Sequence, residues 1–378
     1  MLFRSTKTVS ASFAEVTFDA NGGSAVESLV VPLGSTPAEL PVPILEGYSF
    51  VGWYTEPDGG ELFTTETPIT GNMTVYARWA MTGWHTENGK TYYYENGEPI
   101  RSQWRTIEGS LYYFRSNGQM ATGVFKVSGK YYYFGEDGAR QSGLWVTTDD
   151  GSRYYFKSNG QAATSVFKVS GKYYYFGASG VQCTGKLPVD GVYYYFDPAQ
   201  NGARVSNKLV TIGEGKYYFG ADGAMATGKV QIGDYYYYFD ETTGAMKVSA
   251  WVEDGEDMYY FRSNGRMAVG QFKIAGKWYY FYNDETQDNY GVMAKKLWFT
   301  REDGTHYFQS NGRMVVSQLK KISNKWYWFD ANGVRAESEW KTIDGATYYF
   351  LSNGRAATGT VNIDGTDYTF DIDGKLIS

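Results

Sequence analysis

The sequence is poor in the residues that most often carry catalytic or metal chemistry. Its 378 residues include one cysteine, Cys183, and two histidines, His85 and His306. A single cysteine excludes an intrachain disulfide, and nothing in the sequence around it indicates a reactive thiol. The chain has no HExxH pattern, nucleophile elbow, P-loop or dinucleotide-binding glycine motif. We therefore expect a protein that is not an enzyme and that has no cofactor and no metal site.

Long apolar runs and clusters of positive charge are also missing. No stretch of 18 apolar residues occurs, so the sequence predicts no transmembrane segment. The formal net charge is −6 and the pI is about 5.2. Charges of both signs are interspersed, and no basic patch for nucleic acid is visible. Residues 1–14 lack the apolar core of a signal peptide, and we interpret them as a leader or linker.

Aromatic residues and glycine are abundant instead. Aromatic residues make up 18% of the chain, which contains 36 tyrosines and 46 glycines. Very few of the tyrosines precede Ala80, so the composition changes near that residue. Such a bias is typical of a repetitive β-architecture rather than of a compact enzyme. We predict a β-rich module over residues 15–80 and a repeat region over residues 81–378.

The β-rich module contains four segments that alternate like half-buried strands. Three of its motifs, at residues 16–23, 47–55 and 72–79, resemble the internalin-type B repeat, also called the Listeria–Bacteroides repeat. The resemblance implies a β-grasp-like module, a common spacer or adhesive unit of bacterial surface proteins. We expect Trp53 and Trp79 in its core, because large aromatic side chains dominate small cores.

An aromatic triplet recurs throughout the repeat region. Its last residues are Tyr94, Phe114, Phe134, Phe156, Phe176, Phe196, Phe219, Phe239, Phe261, Phe281, Phe308, Phe329, Phe350 and Phe370. They are spaced 20 to 23 residues apart, except for one gap of 27. This period predicts about 14 strand–turn–strand repeats in an all-β hairpin solenoid. Each hairpin must pack on its neighbours, because an isolated hairpin is marginally stable at best.

The repeats resemble a known class of bacterial binding module. Residues 102–114 (SQWRTIEGSLYYF) and 117–123 (NGQMATG) are similar to the choline-binding and glucan-binding repeats of cell-wall-anchored proteins. They are also similar to the repeat domain that ends the large clostridial toxins. The resemblance covers nearly four fifths of the chain. It implies a secreted or cell-surface protein that binds wall or surface glycans.

Strand alternation predicts which side chains of a hairpin share a face. If Glu108-Gly109 is a two-residue turn, Trp104 lies opposite Tyr113. One face then carries Trp104, Thr106, Leu111 and Tyr113, and the other carries Tyr112 and Phe114. In the choline-binding family the positions equivalent to Trp104, Leu111 and Tyr113 are aromatic. The resemblance implies that they form a cage with the next hairpin, which holds a quaternary ammonium by cation–π attraction.

This chain departs from that pattern, because two hairpin types mostly alternate over about 42 residues. One type keeps the tryptophan, at Trp84, Trp104, Trp145, Trp251, Trp298 and Trp340. The other loses it, to Val124, Val166 or Gln271, but gains an aromatic residue at Tyr131, Tyr173, Tyr193, Tyr236, Trp278 and Trp326. We therefore predict that each site combines consecutive hairpins. The predicted ligand-binding residues are Trp251, Tyr260, Trp278 and Tyr280; Trp298, Tyr307, Trp326 and Trp328; and Trp104, Tyr113, Tyr131 and Tyr133.

Lysines on the predicted binding face bear on the ligand class. Lys126, Lys168, Lys273 and Lys321 fall on the same face as the added aromatic residues. A fixed cation opposes a cationic ligand and suits a hydroxyl-rich or anionic one. We therefore favour a wall polysaccharide, teichoic acid or other glycan over free choline as the partner.

Several functions remain open at this point. The chain could bind choline-bearing teichoic acid, act as an adhesin or toxin-like module for a host glycan or receptor, or target a wall hydrolase whose catalytic domain lies outside it. An exported protein without a signal peptide would be a piece of a longer one. The 27-residue gap predicts a longer loop near residues 282–291. Its acidic residues Asp284, Glu285 and Asp288 could ligate calcium, although their spacing is not that of an EF-hand.

Overall fold

The structure, a computed structural model, describes residues 10–378, which are built almost entirely of β-strands. Among these residues the one helical element is a short 3-10 helix at Pro198–Gln200. This confirms the predicted all-β class and the hairpin-repeat fold. Part of the predicted leader, residues 1–9, lies outside the described residues.

The N-terminal module is a five-stranded mixed sheet. Its strands are β1 (Phe13–Asp19), β2 (Leu29–Pro32), β3 (Tyr48–Tyr54), β4 (Leu62–Phe63) and β5 (Met73–Met81), in the order β2-β1-β5-β3-β4. β1 and β5 run parallel, with Val16 opposite Met73. The alternation predicted for this region sets the burial of β1, in which every second side chain is buried.

The core of the module lies on one face of this sheet. Trp53 is 1% exposed, and its indole N–H donates to the carbonyl oxygen of Pro41 at 2.8 Å. Trp79 is partly buried against the same core and donates to the carbonyl of Ala20 at 3.0 Å. Both tryptophans thus pack in the core with their N–H groups satisfied. The β-grasp comparison stays a prediction.

The rest of the chain forms fourteen hairpin sheets, each with two main antiparallel strands. In unit order these strands are β6 (Gly83–Glu87) and β7 (Lys90–Glu95); β9 (Gln103–Ile107) and β10 (Ser110–Phe114); β11 (Gly123–Val127) and β12 (Lys130–Phe134); β14 (Leu144–Thr147) and β15 (Arg153–Phe156); β16 (Ser165–Val169) and β17 (Lys172–Phe176); β19 (Gly185–Val189) and β20 (Val192–Asp197); β22 (Lys208–Ile212) and β23 (Gly215–Phe219). They continue with β24 (Gly228–Ile232) and β25 (Tyr235–Phe239); β26 (Ala250–Asp254) and β27 (Asp257–Phe261); β28 (Gly270–Ile274) and β29 (Lys277–Phe281); β30 (Leu297–Arg301) and β31 (Gly304–Phe308); β32 (Gln318–Ile322) and β33 (Lys325–Phe329); β34 (Glu339–Ile343) and β35 (Ala346–Phe350); β36 (Gly359–Ile363) and β37 (Thr366–Phe370). Short third strands are β8 (Glu98–Pro99), β13 (Arg140–Gln141), β18 (Gln182–Cys183) and β21 (Ala203–Arg204).

Tight turns fix the register of the hairpins. Glu108 and Gly109 both have positive φ, 50° and 83°, as a two-residue turn of type I′ requires. Ile107 is therefore paired with Ser110, and Trp104 with Tyr113, as predicted. A glycine at the second turn position adopts this φ without steric cost.

Backbone hydrogen bonds join the first hairpin to the second. The N–H of Met120, which follows the second hairpin, donates to the carbonyl of Thr91 in the first at 2.8 Å. The adjacent N–H of Ala121 donates to Tyr113 within its own unit at 2.8 Å. The last triplet residue, Phe114 in this unit, is fully buried between the units. Consecutive hairpins therefore share a core that neither could form alone.

The chain divides into two compact units. Among the described residues, one unit holds residues 10–184 together with Pro198–Ala203, and the other holds Gly185–Asp197 together with Arg204–Ser378. The boundaries predicted at residues 14/15 and 80/81 stay predictions.

Candidate functional site

Each hairpin has a position that we call the tryptophan slot, the second residue of its first main strand. Six hairpins carry tryptophan there, at Trp84, Trp104, Trp145, Trp251, Trp298 and Trp340. In each of them, strand pairing sets this tryptophan opposite the tyrosine that immediately precedes the last residue of the aromatic triplet. For Trp104 this partner is Tyr113, which precedes Phe114. The slot residues lie at one repeated place in the fold, so their surroundings can be compared directly.

The six slot tryptophans have nearly identical aromatic contacts. Trp251, for example, has its ring centroid 5.1 Å from that of Tyr260, its cross-strand partner. In the next hairpin it contacts Tyr279 at 5.0 Å and Phe281 at 5.9 Å. Trp104 repeats this set with Tyr113, Tyr132 and Phe134, at 5.2, 4.9 and 5.7 Å. The tryptophan is thus held on one side by its own hairpin and on another by the following hairpin.

The predicted face within each hairpin is confirmed, but the predicted partner face of the next hairpin is wrong. Trp251 was expected beside Trp278 and Tyr280, whereas its ring contacts are with Tyr279 and Phe281. Those two side chains lie on the other face of the strand from Trp278 and Tyr280. The physical reason is that consecutive hairpins meet through opposite faces.

The same correction applies to the other two predicted groups. Trp298 contacts Tyr307 at 4.8 Å as predicted, but its partner in the next hairpin is Tyr327 at 4.8 Å, not Trp326 or Trp328. Trp326 instead donates its indole N–H to the carboxylate of Asp373 at 3.1 Å.

In the third group Trp104 and Tyr113 meet, whereas the other two residues lie elsewhere. Tyr133 stacks on Phe156 of the following unit at 5.7 Å. Tyr131 lies beside Lys126, 5.4 Å from its ammonium nitrogen. The ligand-binding role of all twelve residues stays a prediction.

Tyr280 is buried and its hydroxyl is already hydrogen-bonded, so little of it is accessible to a ligand. It is 8% exposed, and its ring packs on Phe299 at 4.3 Å. Its hydroxyl donates to the side chain of Asn283 at 2.8 Å. Burial raises the pKa of Tyr280, and burial likewise raises the pKa of Tyr307, so both phenols stay protonated well into the alkaline range.

A cleft of about 220 Å³ opens beside Trp251. Its walls include Met258 from the same hairpin and Tyr279 and Met293 from the next. The N–H of Met293 donates to the carbonyl of Met258 at 2.8 Å, which fixes the two methionines side by side. We call Trp251, Met258, Tyr279 and Met293 the Trp251 site.

A cation lies at the edge of the Trp251 site. The Nε of Arg313 is 3.4 Å from the hydroxyl oxygen of Tyr279, to which it donates. Sequence reasoning missed Tyr279, Met293 and Arg313. The aromatic triplet did contain a signal for Tyr279, since its first aromatic residue recurs in the hairpin that follows each slot tryptophan.

The four lysines lie on the predicted face of their own hairpins, but those hairpins carry no slot tryptophan. Lys126, Lys168, Lys273 and Lys321 lie over Tyr131, Tyr173, Trp278 and Trp326, with ammonium-to-centroid distances of 5.2 to 5.6 Å. Each covers an aromatic ring of its own hairpin. The cation that bears on the Trp251 site is therefore Arg313 rather than Lys273.

The long loop of the 27-residue gap packs back onto an earlier hairpin. Tyr290 contacts Tyr236 at 5.9 Å between ring centroids. The carboxylate of Asp284 accepts hydrogen bonds from the backbone N–H and the hydroxyl of Thr286. Over residues 10–378, no group of three or more His, Cys, Asp or Glu side chains is placed to hold a metal ion.

Family comparisons match both regions of the chain. The Listeria–Bacteroides repeat domain matches residues 15–78, and a cell wall binding repeat matches residues 82–98. The choline-binding repeat matches residues 100–145, 126–167, 163–209, 207–251, 248–287, 298–340 and 336–378. These matches confirm the resemblances to the Listeria–Bacteroides repeat and to the choline-binding type of cell-wall-binding repeat. Repeats of these families are binding modules and are typically extracellular or surface-associated.

Individual proteins show similarity over parts of the chain. Choline binding protein F of Streptococcus pneumoniae, solved in the presence of a peptidoglycan analogue, is 24% identical with a TM-score of 0.51, and the match covers 68% of this chain and 99% of that one. CbpJ of Streptococcus pneumoniae TIGR4 is 26% identical with a TM-score of 0.49, over 72% and 99% of the two chains.

A curated relative from Evansella cellulosilytica, called a membrane protein, is 39% identical over 86 residues. The match covers 22% of this chain and 13% of the relative, so the chain corresponds to a small part of that protein's length. In the part of the chain that the structure describes, no helix is long and apolar enough to cross a membrane.

Proposed function

Because this chain belongs to the choline-binding repeat family, we propose that it is a non-catalytic surface protein that attaches to bacterial cell-wall glycans through its slot tryptophans. The observation that carries the proposal is the exposure of these side chains. Trp84, Trp251, Trp298 and Trp340 are 36–39% exposed, although each packs on two hairpins. Single exposed apolar residues are ordinary, but half-exposed tryptophans that recur in one geometry are typical of binding surfaces.

The third wall of each site favours a sugar ring over a quaternary ammonium. An ammonium cage surrounds its cation with aromatic faces. Here the residue that would close the cage is not aromatic, and it is Thr91, Leu111, Arg153, Met258, Thr305 or Thr347 in the six hairpins. A tryptophan and one tyrosine then form an open platform, on which the apolar face of a sugar can stack.

The charge beside the Trp251 site points the same way. Arg313 presents a guanidinium next to the hydroxyl of Tyr279. A fixed cation raises the cost of binding an ammonium and can donate hydrogen bonds to hydroxyl, carboxylate or phosphate oxygens. The ligand favoured by these groups is a neutral or anionic wall glycan.

Choline-bearing teichoic acid is the second candidate. It is favoured by the apolar lining of the Trp251 site, in which Met258 and Met293 flank the aromatic walls. Thioether and aromatic groups together suit the methyl groups of a quaternary ammonium. Both candidate functions use the same site. They are distinguished by whether a glycan or choline saturates it.

Titration of matched tryptophan variants tests the proposal. Trp251→Ala should weaken binding of soluble wall glycan fragments at that site by about 5- to 150-fold, since stacking on an aromatic ring contributes on the order of 1–3 kcal/mol. The control is Trp278→Ala in the adjacent hairpin, where the tryptophan is 37% exposed but lies outside the Trp251 site. Calorimetry with glycan fragments and with choline measures both variants.

The outcomes separate the alternatives. Saturable choline binding that Trp251→Ala abolishes, with no response to glycans, would keep the site and replace the ligand class. Equal losses in Trp251→Ala and Trp278→Ala would restore Trp278 to the site, as the sequence predicted. Glycan binding that survives both substitutions unchanged would remove the slot tryptophans from the binding surface.

A further inference from the structure

One slot tryptophan differs from its five counterparts in what covers it. In the hairpin of Trp145, Arg153 stands where three sibling hairpins carry Thr91, Thr305 or Thr347. The guanidinium carbon of Arg153 lies 4.1 Å from the ring centroid of Trp145. This distance is within the range of a strong cation–π contact. The guanidinium of Arg153 therefore covers one face of the Trp145 ring.

Two hydrogen bonds hold the guanidinium over the ring. One NH1 nitrogen of Arg153 donates to the backbone carbonyl of Asn201 at 3.0 Å and to the side-chain oxygen of Gln182 at 3.3 Å. Gln182 donates in turn to the same carbonyl at 2.8 Å. Arg153 is thus fixed in place rather than free to swing into solvent, because leaving the ring would break both bonds.

The same arrangement occurs where lysine replaces the slot tryptophan itself. The ammonium nitrogen of Lys186 lies 4.4 Å from the ring centroid of Tyr217 in the next hairpin. The ammonium nitrogen of Lys229 lies 4.4 Å from the ring centroid of Tyr259 and donates to its hydroxyl at 3.1 Å. In the two hairpins whose slot residue is Lys186 or Lys229, a lysine therefore lies on an aromatic ring of the following hairpin.

Proximity of a cation is not sufficient to cover a site. Arg335 lies 5.2 Å from the ring centroid of Trp298, where a carboxylate oxygen of Glu337 pairs with its guanidinium at 2.5 Å. Trp298 nevertheless remains 36% exposed. Arg153 differs from Arg335 in its closer approach to the ring and in its anchors, which are the distant Gln182 and Asn201, whereas Arg335 is held by Glu337 two residues along the chain.

We propose that Arg153 is a tethered occupant of the Trp145 site and determines that this site takes no external ligand. The inference rests on the proposed function of the slot tryptophans. A group that is tethered beside a site has an effective concentration in the millimolar range. A free ligand that binds weakly to a single site must exceed this concentration in order to displace the tethered group. The residue at this position therefore decides which hairpins of the array bind: threonine or methionine leaves the platform open, and arginine closes it.

The test is Arg153→Met in the full chain, which reproduces the tryptophan, methionine and tyrosine walls of the Trp251 site. The probes are an N-acetylglucosamine tetrasaccharide and, separately, choline. The indole N–H signal of each tryptophan is followed by NMR, and the number of bound ligands is measured by calorimetry. We expect the Trp145 signal to shift with ligand in the variant and to stay unchanged in the parent chain, with one additional ligand bound.

Two further variants keep the result interpretable. Arg153→Thr, which copies Thr347, should open the site by a second route if Arg153→Met fails to fold. Lys168→Thr removes a cation that lies 5.2 Å from the ring of Tyr173, where no slot tryptophan is present, and should add no binding.

A Trp251 signal that shifts with a probe, while Trp145 stays silent in both folded Arg153 variants, would overturn the inference and leave the proposed function standing. If no slot tryptophan of the parent chain or of either variant responds to either probe, both the inference about Arg153 and the proposed function are wrong.

Discussion

Replacing Phe281 by alanine is expected to lower the free energy of unfolding of its hairpin by about 3–5 kcal/mol, which is the usual cost of truncating a fully buried phenylalanine. Phe281 is 0% exposed and packs between the ring of Trp251, 5.9 Å away, and the buried residues Ala268 and Met293. The substitution leaves a cavity at the junction of two hairpins. Because each repeat is stabilised by its neighbours, the loss should spread to the adjoining hairpins.

The matched control for this result lies on the same strand. Trp278 is as large an aromatic side chain but is 37% exposed, so Trp278→Ala should cost clearly less stability. Denaturant unfolding, combined with amide hydrogen exchange in β28 and β29, measures both variants. A cost for Phe281→Ala no greater than that for Trp278→Ala would contradict the role of the buried phenylalanines as the junction between repeats.

Removing several slot tryptophans together should weaken attachment to whole cell walls far more than the separate losses suggest. A single substitution at Trp84, Trp104, Trp251 or Trp340 should reduce retention a few-fold, because the remaining sites keep the chain on the wall. The variant in which all four of these tryptophans are replaced by alanine should lose about two orders of magnitude or more in apparent affinity for the wall, since linked sites raise overall affinity by about 10²–10⁴. Sedimentation with purified walls, over a range of protein concentrations, gives the apparent affinity of each variant.

The control for this series is a variant with exposed tyrosines removed elsewhere. Tyr193 and Tyr235 are 42% and 44% exposed and occupy hairpins without a slot tryptophan. Tyr193→Ala combined with Tyr235→Ala should leave wall retention nearly unchanged. A fourfold tryptophan variant that binds as well as the weakest single variant would mean that one site, rather than the array, carries attachment.

The internal geometry of a hairpin could be predicted from sequence because local rules determine it. Side chains alternate along a strand, and a two-residue turn at Glu108-Gly109 leaves only one register. The pairing of Trp104 with Tyr113 follows from these two facts and is present in the structure. The shared face of Tyr112 and Phe114 follows from the same alternation.

The contact between hairpins could not be predicted in the same way. Alternation assigns two faces to a hairpin but contains no information about which face meets the next unit. That choice depends on the path of the connecting segment, where Gly118 has a φ of 84° and the side chain of Asn117 accepts the N–H of Gln119. The predicted sites therefore joined Trp251 to Trp278, although Trp251 packs on Tyr279.

The contact of Arg153 with the ring of Trp145 could not be predicted from the sequence either. Arg153 could be recognised as a departure from the aromatic pattern, but its anchor Asn201 lies 48 residues further along the chain. Long-range polar contacts of this kind have no periodic signature in a sequence. They become visible only when the units are assembled.

The central claim is that the slot tryptophans are the surface that contacts the wall. The most direct measurement is the NMR response of each indole N–H signal when soluble wall glycan fragments are added to the full chain. We predict shifts for Trp84, Trp251 and Trp340, and none for the core residue Trp53, which is 1% exposed, or for the covered Trp145. Unchanged signals for Trp84, Trp251 and Trp340, at ligand concentrations that saturate binding, would contradict the account.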